Sequence, residues 1–345
     1  MSLELEFRSY SLPLLRPLRT AHGVHTSREG GIVRLTDEAG RVGLGEVCPL
    51  PGFNRETWSD ADAALRALGD RPACEDITRI SPDLECLHAA IDAARRMMEI
   101  DSAAAEGRAD EQPSPAAWPV ACLLPAGRAA LKEIDARTEI GFRVFKWKVG
   151  VEPIGEELAL LDDLLARMPD GARLRLDANG AWDRRQSERW LDCCAERPIE
   201  HVEQPIAWNA RGAEDLLLGL AGDYPTPVAL DESLVRGSDI ATWLGNGWPG
   251  VFVVKPSLLA EPTLMLERLA LAKSKVVFSS ALETAVGARN ALTLAFSWRG
   301  ERRALGFGVW PLFAEPCLNG PYLAPFIQWA DVAHIDSCRA WNALN

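Results

Sequence analysis

Residues 3–9 alternate apolar and polar, with Leu3, Leu5 and Phe7 on one side, the pattern of a half-buried strand. Residues 10–30 keep neither the strand nor the helix period and are expected as loop. Two short β runs, 30–36 and 42–47, then flank Asp37, Glu38, Ala39 and Gly40, which predicts a hairpin with a glycine-containing turn. The segment CPLPGFN at 48–54 is punctuated by proline and glycine and is read as a loop. Helical periods follow at 58–68 and 84–98, so strands precede helices over residues 1–100 and predict a small α+β domain. Residues 101–117 are rich in Ala, Ser, Pro and charge, the composition of a mobile connection.

From residue 118 the pattern becomes regular. Short β runs at 119–124, 143–150, 173–180, 199–205, 227–233, 250–259, 275–283 and 303–309 alternate with amphipathic runs such as 153–168, 184–195 and 263–274. Eight evenly spaced βα units predict an α/β fold of the (β/α)8 type, a modified TIM barrel, over residues 118–310. Residues 311–345 leave that pattern and are expected to run back over the first domain.

Composition narrows the function class. A chain of 345 residues with 48% hydrophobic content can bury a barrel-sized core and a smaller one. Its net charge of -12 argues against nucleic-acid or anionic-membrane partners, which need a clustered positive field. The eight cysteines show no CxxC spacing and most sit among apolar neighbours, as reduced packing residues of a cytoplasmic protein. The N-terminus has no signal-like pattern and no apolar run reaches spanning length. No HExxH or i, i+4 histidine pair is present, so any metal should be held by oxygen.

In a barrel, chemistry belongs at the C-terminal ends of the strands. The second run ends in KWK, with Lys146 and Lys148 on one face of an extended segment. Their stems start roughly 7 Å apart, where repulsion of about 2 kcal/mol lowers the basicity of at least one of them. Desolvation and a nearby cation must supply the rest of the shift that a lysine base needs. The third run ends with Asp177 and Asn179, the fourth with Glu203, the fifth with Asp231 and the sixth with Lys255, each about one βα unit after the last. One carboxylate on each of three successive strands suits Mg²⁺, or Mn²⁺ of equal charge. Lysines on both sides of such a cation point to proton abstraction next to a substrate carboxylate.

The motifs KWK, DANGAW, VEQP, LDES and VVKPS, in this order, resemble the muconate-lactonising subgroup of the enolase superfamily, and within it the o-succinylbenzoate synthase family. The resemblance implies that residues 1–100 are a capping domain. It implies that Asp177, Glu203 and Asp231 are metal ligands, Lys148 is the general base with Lys146 assisting, and Lys255 faces the other side of the substrate. A Lys base with Mg²⁺ stabilising an enediolate is the general pattern of that superfamily. RTAHG at 19–23, RLDAN at 175–179, DESL, KPSL and the Ser279–Ser280 pair carry the closer likeness. It implies syn dehydration of 2-succinyl-6-hydroxy-2,4-cyclohexadiene-1-carboxylate to 2-succinylbenzoate, a step of menaquinone or phylloquinone biosynthesis. By the same resemblance two capping loops, residues 20–28 with Thr20 and 49–54 with Gly52, close over a small-molecule carboxylate. Arg175, Asn179, Ser279, Ser280 and Gly287 are the further substrate-contact candidates. Arg175 has an alternative as an ion-pair member beneath the site.

Rival readings follow from the same residues. The SSALET segment also resembles N-acylamino acid racemases, which would use Lys148 and Lys255 as opposed acid and base, and muconate cycloisomerase is a third reading. The end of strand eight, GFGVWP, lacks the Asp-x-Asp of dipeptide epimerases. A barrel that only binds an acidic metabolite is the non-enzyme rival. Whether the chain forms a homo-oligomer is not readable from the sequence.

Overall fold

The computed structural model describes residues 3–20, 23–105 and 116–344, with side chains described for all of these except 18–20 and 101–105. The chain opens with β1 (Leu3–Thr20), β2 (Gly23–Asp37) and β3 (Val42–Val47), then α1 (Trp58–Leu68), α2 (Cys74–Thr78) and α3 (Glu85–Ala105). These strands form one antiparallel sheet in the order β1-β2-β3. The described residues of the stretch 10–30, expected as loop, instead belong to β1 and β2, with Ser11 opposite Glu29 and Thr20 opposite Gly23. Cross-strand pairing carries them where their own periodicity is weak.

Helix α1 starts at Thr57, whose hydroxyl accepts from Asp60 N while the Asp60 carboxylate accepts from Thr57 N, a capping box. Helix α3 lies directly on β3: a Cβ at Gly45 would sit 1.8 Å from the Ala90 carbonyl oxygen, so only glycine permits that approach. It runs through Ala105, past residue 101 where the connection was expected to begin, and residues 106–115 of that connection lie outside the described residues.

A short β4 (Ala117–Pro119) leads into β5 (Cys122–Leu124), and then strands and helices alternate. They are α4 (Ala130–Ile140), β6 (Val144–Lys148), α5 (Ile154–Leu165), β7 (Arg173–Asp177), α6 (Arg184–Cys194), β8 (Ile199–Glu203) and α7 (Ala213–Asp223). β9 (Val228–Leu230), α8 (Gly237–Gly245), β10 (Val251–Val254), α9 (Pro262–Leu271), β11 (Lys275–Phe278) and α10 (Ala285–Phe296) complete the series. Strands β5 to β11 form one seven-stranded parallel sheet in sequence order. Residues 304–306 close it: Leu305 bridges Val120 and Gly306 bridges Ser279, both in parallel sense. The result is a (β/α)8-type barrel with an N-terminal capping domain.

Strand β6 shows how sequence becomes site. Phe145 and Trp147 point outward into the core beneath the helices, where Trp147 meets Trp190 edge-on at 6.4 Å. The lysines between them therefore face inward. Ala229, Val251, Val253 and Val277 form a separate small cluster, consistent with the filled interior of such barrels.

The capping domain has its own core, in which Leu5, Val33 and Leu35 pack with Leu65, Leu87 and Ile91, and which also takes in Leu258 and Ala281 from the barrel. After the barrel, β12 (Phe326–Gln328) pairs antiparallel with β4, followed by α11 (Trp329–Ala333) and α12 (Ser337–Asn342). Phe313, Leu318 and Trp341 of this tail pack with Tyr10, Ile32 and Leu44 of the capping sheet, while Ile327 and Val332 belong to the barrel core. All eight cysteines are free thiols.

Candidate active site

The parallel ladder places Lys148 opposite Asp177 and Asp177 opposite Glu203, so three of the expected residues meet at adjoining strand ends. Lys146, two residues before Lys148, reaches across the same mouth: its Nζ lies 2.6 Å from Glu203 Oε1 and 3.0 Å from Asp177 Oδ2. Lys255, just beyond β10, donates to Asp231 Oδ1. Strands β6 and β10 are four positions apart in an eight-membered ring, so the Lys146–Lys148 pair and Lys255 stand on opposite walls.

All three carboxylates are buried, Asp177 at 4%, Glu203 at 1% and Asp231 at 6% exposure, and burial of negative charge calls for a cation. Burial opposes the charge of Lys146, but Asp177, Glu203 and Asp231 hold its pKa well above the ordinary lysine value. This is opposite in direction to the shift that lysine–lysine repulsion alone suggests, and it leaves Lys146 a permanent cation. Burial would raise Glu203, yet Lys146, with His201 beside it, keeps that acid well below the usual carboxylate range. Burial pushes Asp231 up to about 6, against Lys255 and with the help of the Glu203 charge. His201 is fully buried below Glu203, with Nε2 3.7 Å from Glu203 Oε2, and burial lowers its pKa so that the ring stays neutral.

The donor set fits a hard divalent cation. One ammonium already contacts Asp177 and Glu203 together, so their oxygens reach a common cationic point, and Asp231 extends from the next strand. Among the described residues no three acidic, His or Cys side chains are gathered into a metal cage as they stand; two ammonium groups lie among these carboxylates.

Gln204 holds the ligand strands in register, and the sequence reading gave it no role. It is fully buried, its Oε1 accepts from Asp231 N (3.0 Å) and Ser233 N (3.2 Å), and its Nε2 donates to Ile206 O and Ser233 Oγ. Its φ of 39° lies in the left-handed region, a conformation the surrounding bonds over-determine. A buried side-chain amide with all its partners was not separable in the sequence from a strand-ending residue before proline.

The substrate-contact candidates divide. Arg175 directs Nε (2.7 Å) and Nη2 (3.3 Å) to Glu200, which Arg303 also contacts at 3.2 Å. Burial would raise Glu200, but Arg175 chiefly, with Arg303, holds it at about 2. Arg175 is thus an interior ion-pair member, the alternative weighed for it above. Asn179 donates from Nδ2 to Glu232 Oε1 at 2.8 Å, and its amide N–H meets Asp177 Oδ1 at 3.2 Å, so it orients acids. Burial, with Asp231 and Asp177, pushes Glu232 up to about 8.

The hydroxyl of Ser279 faces Gly306 O at 3.5 Å, and that of Ser280 donates to Glu283. Gly287 does not present its N–H to the mouth but donates it to Glu46 Oε2 at 2.8 Å. The side chain of Thr20 lies outside the described residues. Gly52 is exposed at φ 78°, where it shapes the turn that brings Phe53 inward. The ring centroid of Phe53 is 4.3 Å from Lys255 Nζ, so Phe53 is the side chain this loop presents to the site. Arg28, assigned above to a closing loop, is 2% exposed and donates to the carbonyls of Cys48, Pro49, Ala281 and Leu282.

Residues 129–308 match the family described as Enolase C-terminal domain-like, and residues 4–81 match the MenC N-terminal domain. The o-succinylbenzoate synthase of Thermosynechococcus vestitus is 41% identical over 317 residues, covering 88% of this chain and 92% of that protein. The chain belongs to the o-succinylbenzoate synthase family of the enolase superfamily. A crystal structure of that family's enzyme from Thermosynechococcus elongatus, complexed with Mg in the active site, superposes with a TM-score of 0.82 at 36% identity, over 99% of both chains. A hydrophobic dipeptide epimerase from Roseobacter litoralis is 30% identical over 70% of this chain and 72% of its own length. Membership of the family agrees with the motif reading, down to the barrel and its cap. Among the described residues no helix is long and apolar enough to cross a membrane.

Proposed function

We propose that the protein catalyses the Mg²⁺-dependent syn dehydration of 2-succinyl-6-hydroxy-2,4-cyclohexadiene-1-carboxylate to 2-succinylbenzoate, as a cytoplasmic hydro-lyase of menaquinone or phylloquinone biosynthesis. The observation that carries this is the pair of opposed lysine walls across three buried carboxylates, in a chain of this family.

Asp177, Glu203 and Asp231 would hold the cation. Mg²⁺, or Mn²⁺ in its place, supplies the Lewis acidity that stabilises negative charge developing on the substrate carboxylate. Lys148, at the mouth beside Asp177, takes the proton from the carbon bearing that carboxylate. The electron pair left behind expels the ring hydroxide on the same face, the ring becomes aromatic, and Lys148 returns its proton to the departing oxygen as water leaves. Because one residue serves both steps, syn geometry follows. Lys146 stays charged and keeps a positive field beside Lys148, while Lys255 stabilises the anionic ring from the opposite wall. The ring of Phe53 lies beside Lys255 on that wall.

The test is incubation of the protein with the cyclohexadiene carboxylate and Mg²⁺ while following its absorbance. Formation of the aromatic product is expected. No turnover, with exchange of the α-proton in N-succinyl amino acids, would instead assign racemisation, in which Lys148 and Lys255 act in turn. Neither reaction would leave a carboxylate-binding barrel.

A further inference from the structure

The turn that joins β11 to α10, residues 279–284, carries the Ser279–Ser280 pair, yet much of what holds it comes from the capping domain. Glu46 on β3 is 3% exposed and takes four donors: Tyr10 Oη (2.5 Å), Thr284 N (2.9 Å), Thr284 Oγ1 (2.5 Å) and Gly287 N (2.8 Å). An acid from one domain thereby satisfies the first amides of a helix in the other, where the helix dipole favours negative charge. Gly287 is what admits it. A Cβ there would lie 2.9 Å from Glu46 Oε2 and 2.7 Å from Glu283 Cβ.

The other half of the turn hangs on a base. Arg28 binds the carbonyls of Ala281 and Leu282, each at 3.1 Å, while its remaining bonds run to Cys48 and Pro49 in its own domain. Leu282 sits at φ 61°, a conformation that a branched side chain adopts only when its surroundings impose it. Within the barrel Ser279 N donates to Val254 O, Ser280 N to Gly306 O and Leu282 N to Ser280 Oγ, while one acid and one base of the cap hold the rest of the turn from outside.

We infer that Glu46 is a positioning residue for substrate binding: with Arg28 it clamps the 279–287 segment to the capping domain, so that the serine turn takes its binding geometry only when the cap is seated. The inference rests on the proposed reaction for its kinetic readout and is independent of it for its structural one. The hydrogen bonds of Glu46 run to Tyr10, Thr284 and Gly287, so its effect is expected on affinity rather than on the proton transfer.

The test is Glu46→Gln in the full-length protein, which keeps the volume but turns an amide N–H₂ toward N–H donors. Amide hydrogen exchange in residues 279–287 is expected to quicken by about tenfold while strands β6 to β8 keep their protection. KM for the cyclohexadiene carboxylate is expected to rise about tenfold with kcat changed less than about threefold. Unchanged exchange in the turn would overturn the clamp, as would an unchanged KM accompanied by a uniform loss of thermal stability. Should Glu46→Gln not fold, Tyr10→Phe removes a single donor; it is expected to raise KM by about threefold with kcat held, and an unchanged KM would overturn the inference. If the wild-type protein does not turn over this substrate, the proposed reaction fails, and the exchange measurement still decides the clamp.

Discussion

Lys146 carries the account's most specific electrostatic expectation. Lys146→Met keeps a stem of similar length and removes an ammonium that stands 2.6 Å from Glu203 and 3.0 Å from Asp177. At an effective dielectric of about 20, each contact has a gross attraction of roughly 6 kcal/mol, offset in large part by the cost of burying the ions. Breaking such a buried arrangement from one side costs about 3–5 kcal/mol, because the carboxylates remain. At roughly 2 °C per kcal/mol for a chain of this size, protein stripped of divalent cations should melt about 6–10 °C below wild type. Added Mg²⁺ should narrow that gap, since it compensates the same carboxylates and no longer competes with an ammonium. Mg²⁺ should bind the variant at least about tenfold more tightly, a gain of about 1.4 kcal/mol.

The raised pKa of Lys146 fixes the pH dependence. A lysine whose folded pKa lies above its unfolded value of about 10.4 contributes its full stability below that value and loses it only as pH climbs through the folded pKa. Titration of Lys146 itself should therefore add no slope to the melting difference between about pH 6 and pH 9. Thermal denaturation with and without chelator, combined with calorimetric Mg²⁺ titration, measures all of this. An equal melting deficit in both conditions, with unchanged Mg²⁺ affinity, would refute the claim that Lys146 and the cation share Asp177 and Glu203.

Glu203→Gln should lower Mg²⁺ affinity and turnover together, by tenfold or more, and metal dependence equal to wild type would remove Glu203 from the ligand set. Gln204→Leu strands the buried amide of Asp231, at about 1–3 kcal/mol, and unbonds the half-buried amide of Ser233, and should weaken Mg²⁺ binding by about 10–100-fold in calorimetry; an unchanged affinity would show that Asp231 needs no such support. Glu200, held at about 2 by Arg175 and Arg303, stabilises the fold above its unfolded pKa and loses that contribution as pH falls through its folded pKa. The urea stability gap between wild type and Glu200→Gln should therefore be full at pH 7, be worth roughly 3 kcal/mol, and shrink between about pH 4 and pH 2. A gap that stays constant would contradict the ion-pair assignment.

Much of the site was legible because it is written at one residue per strand end. KWK exposes its lysines by period-two alternation with Phe145 and Trp147, and Asp177, Glu203, Asp231 and Lys255 recur once per βα unit. The long β1–β2 hairpin was not legible, since pairs such as Leu12 with Arg28 and Arg19 with Val24 are made across strands whose residues show no strict alternation. The part that Arg28, Glu46 and Gly287 play between the domains escaped for a related reason. The bonds that join the two domains link residues more than 200 positions apart, and nothing local distinguishes Glu46 from a solvent-facing acid in a short strand. Arg175 was ambiguous until Glu200, on the neighbouring strand, was seen to take both ends of its guanidinium.

The central claim is that Lys148 removes and returns the proton. It is tested most directly by comparing wild type and Lys148→Ala on the cyclohexadiene carboxylate with saturating Mg²⁺, while checking by calorimetry that the variant still binds the metal. Wild type is expected to give aromatic product, and Lys148→Ala none above background while its Mg²⁺ affinity stays nearly unchanged. Turnover by Lys148→Ala at a rate comparable to wild type would contradict it.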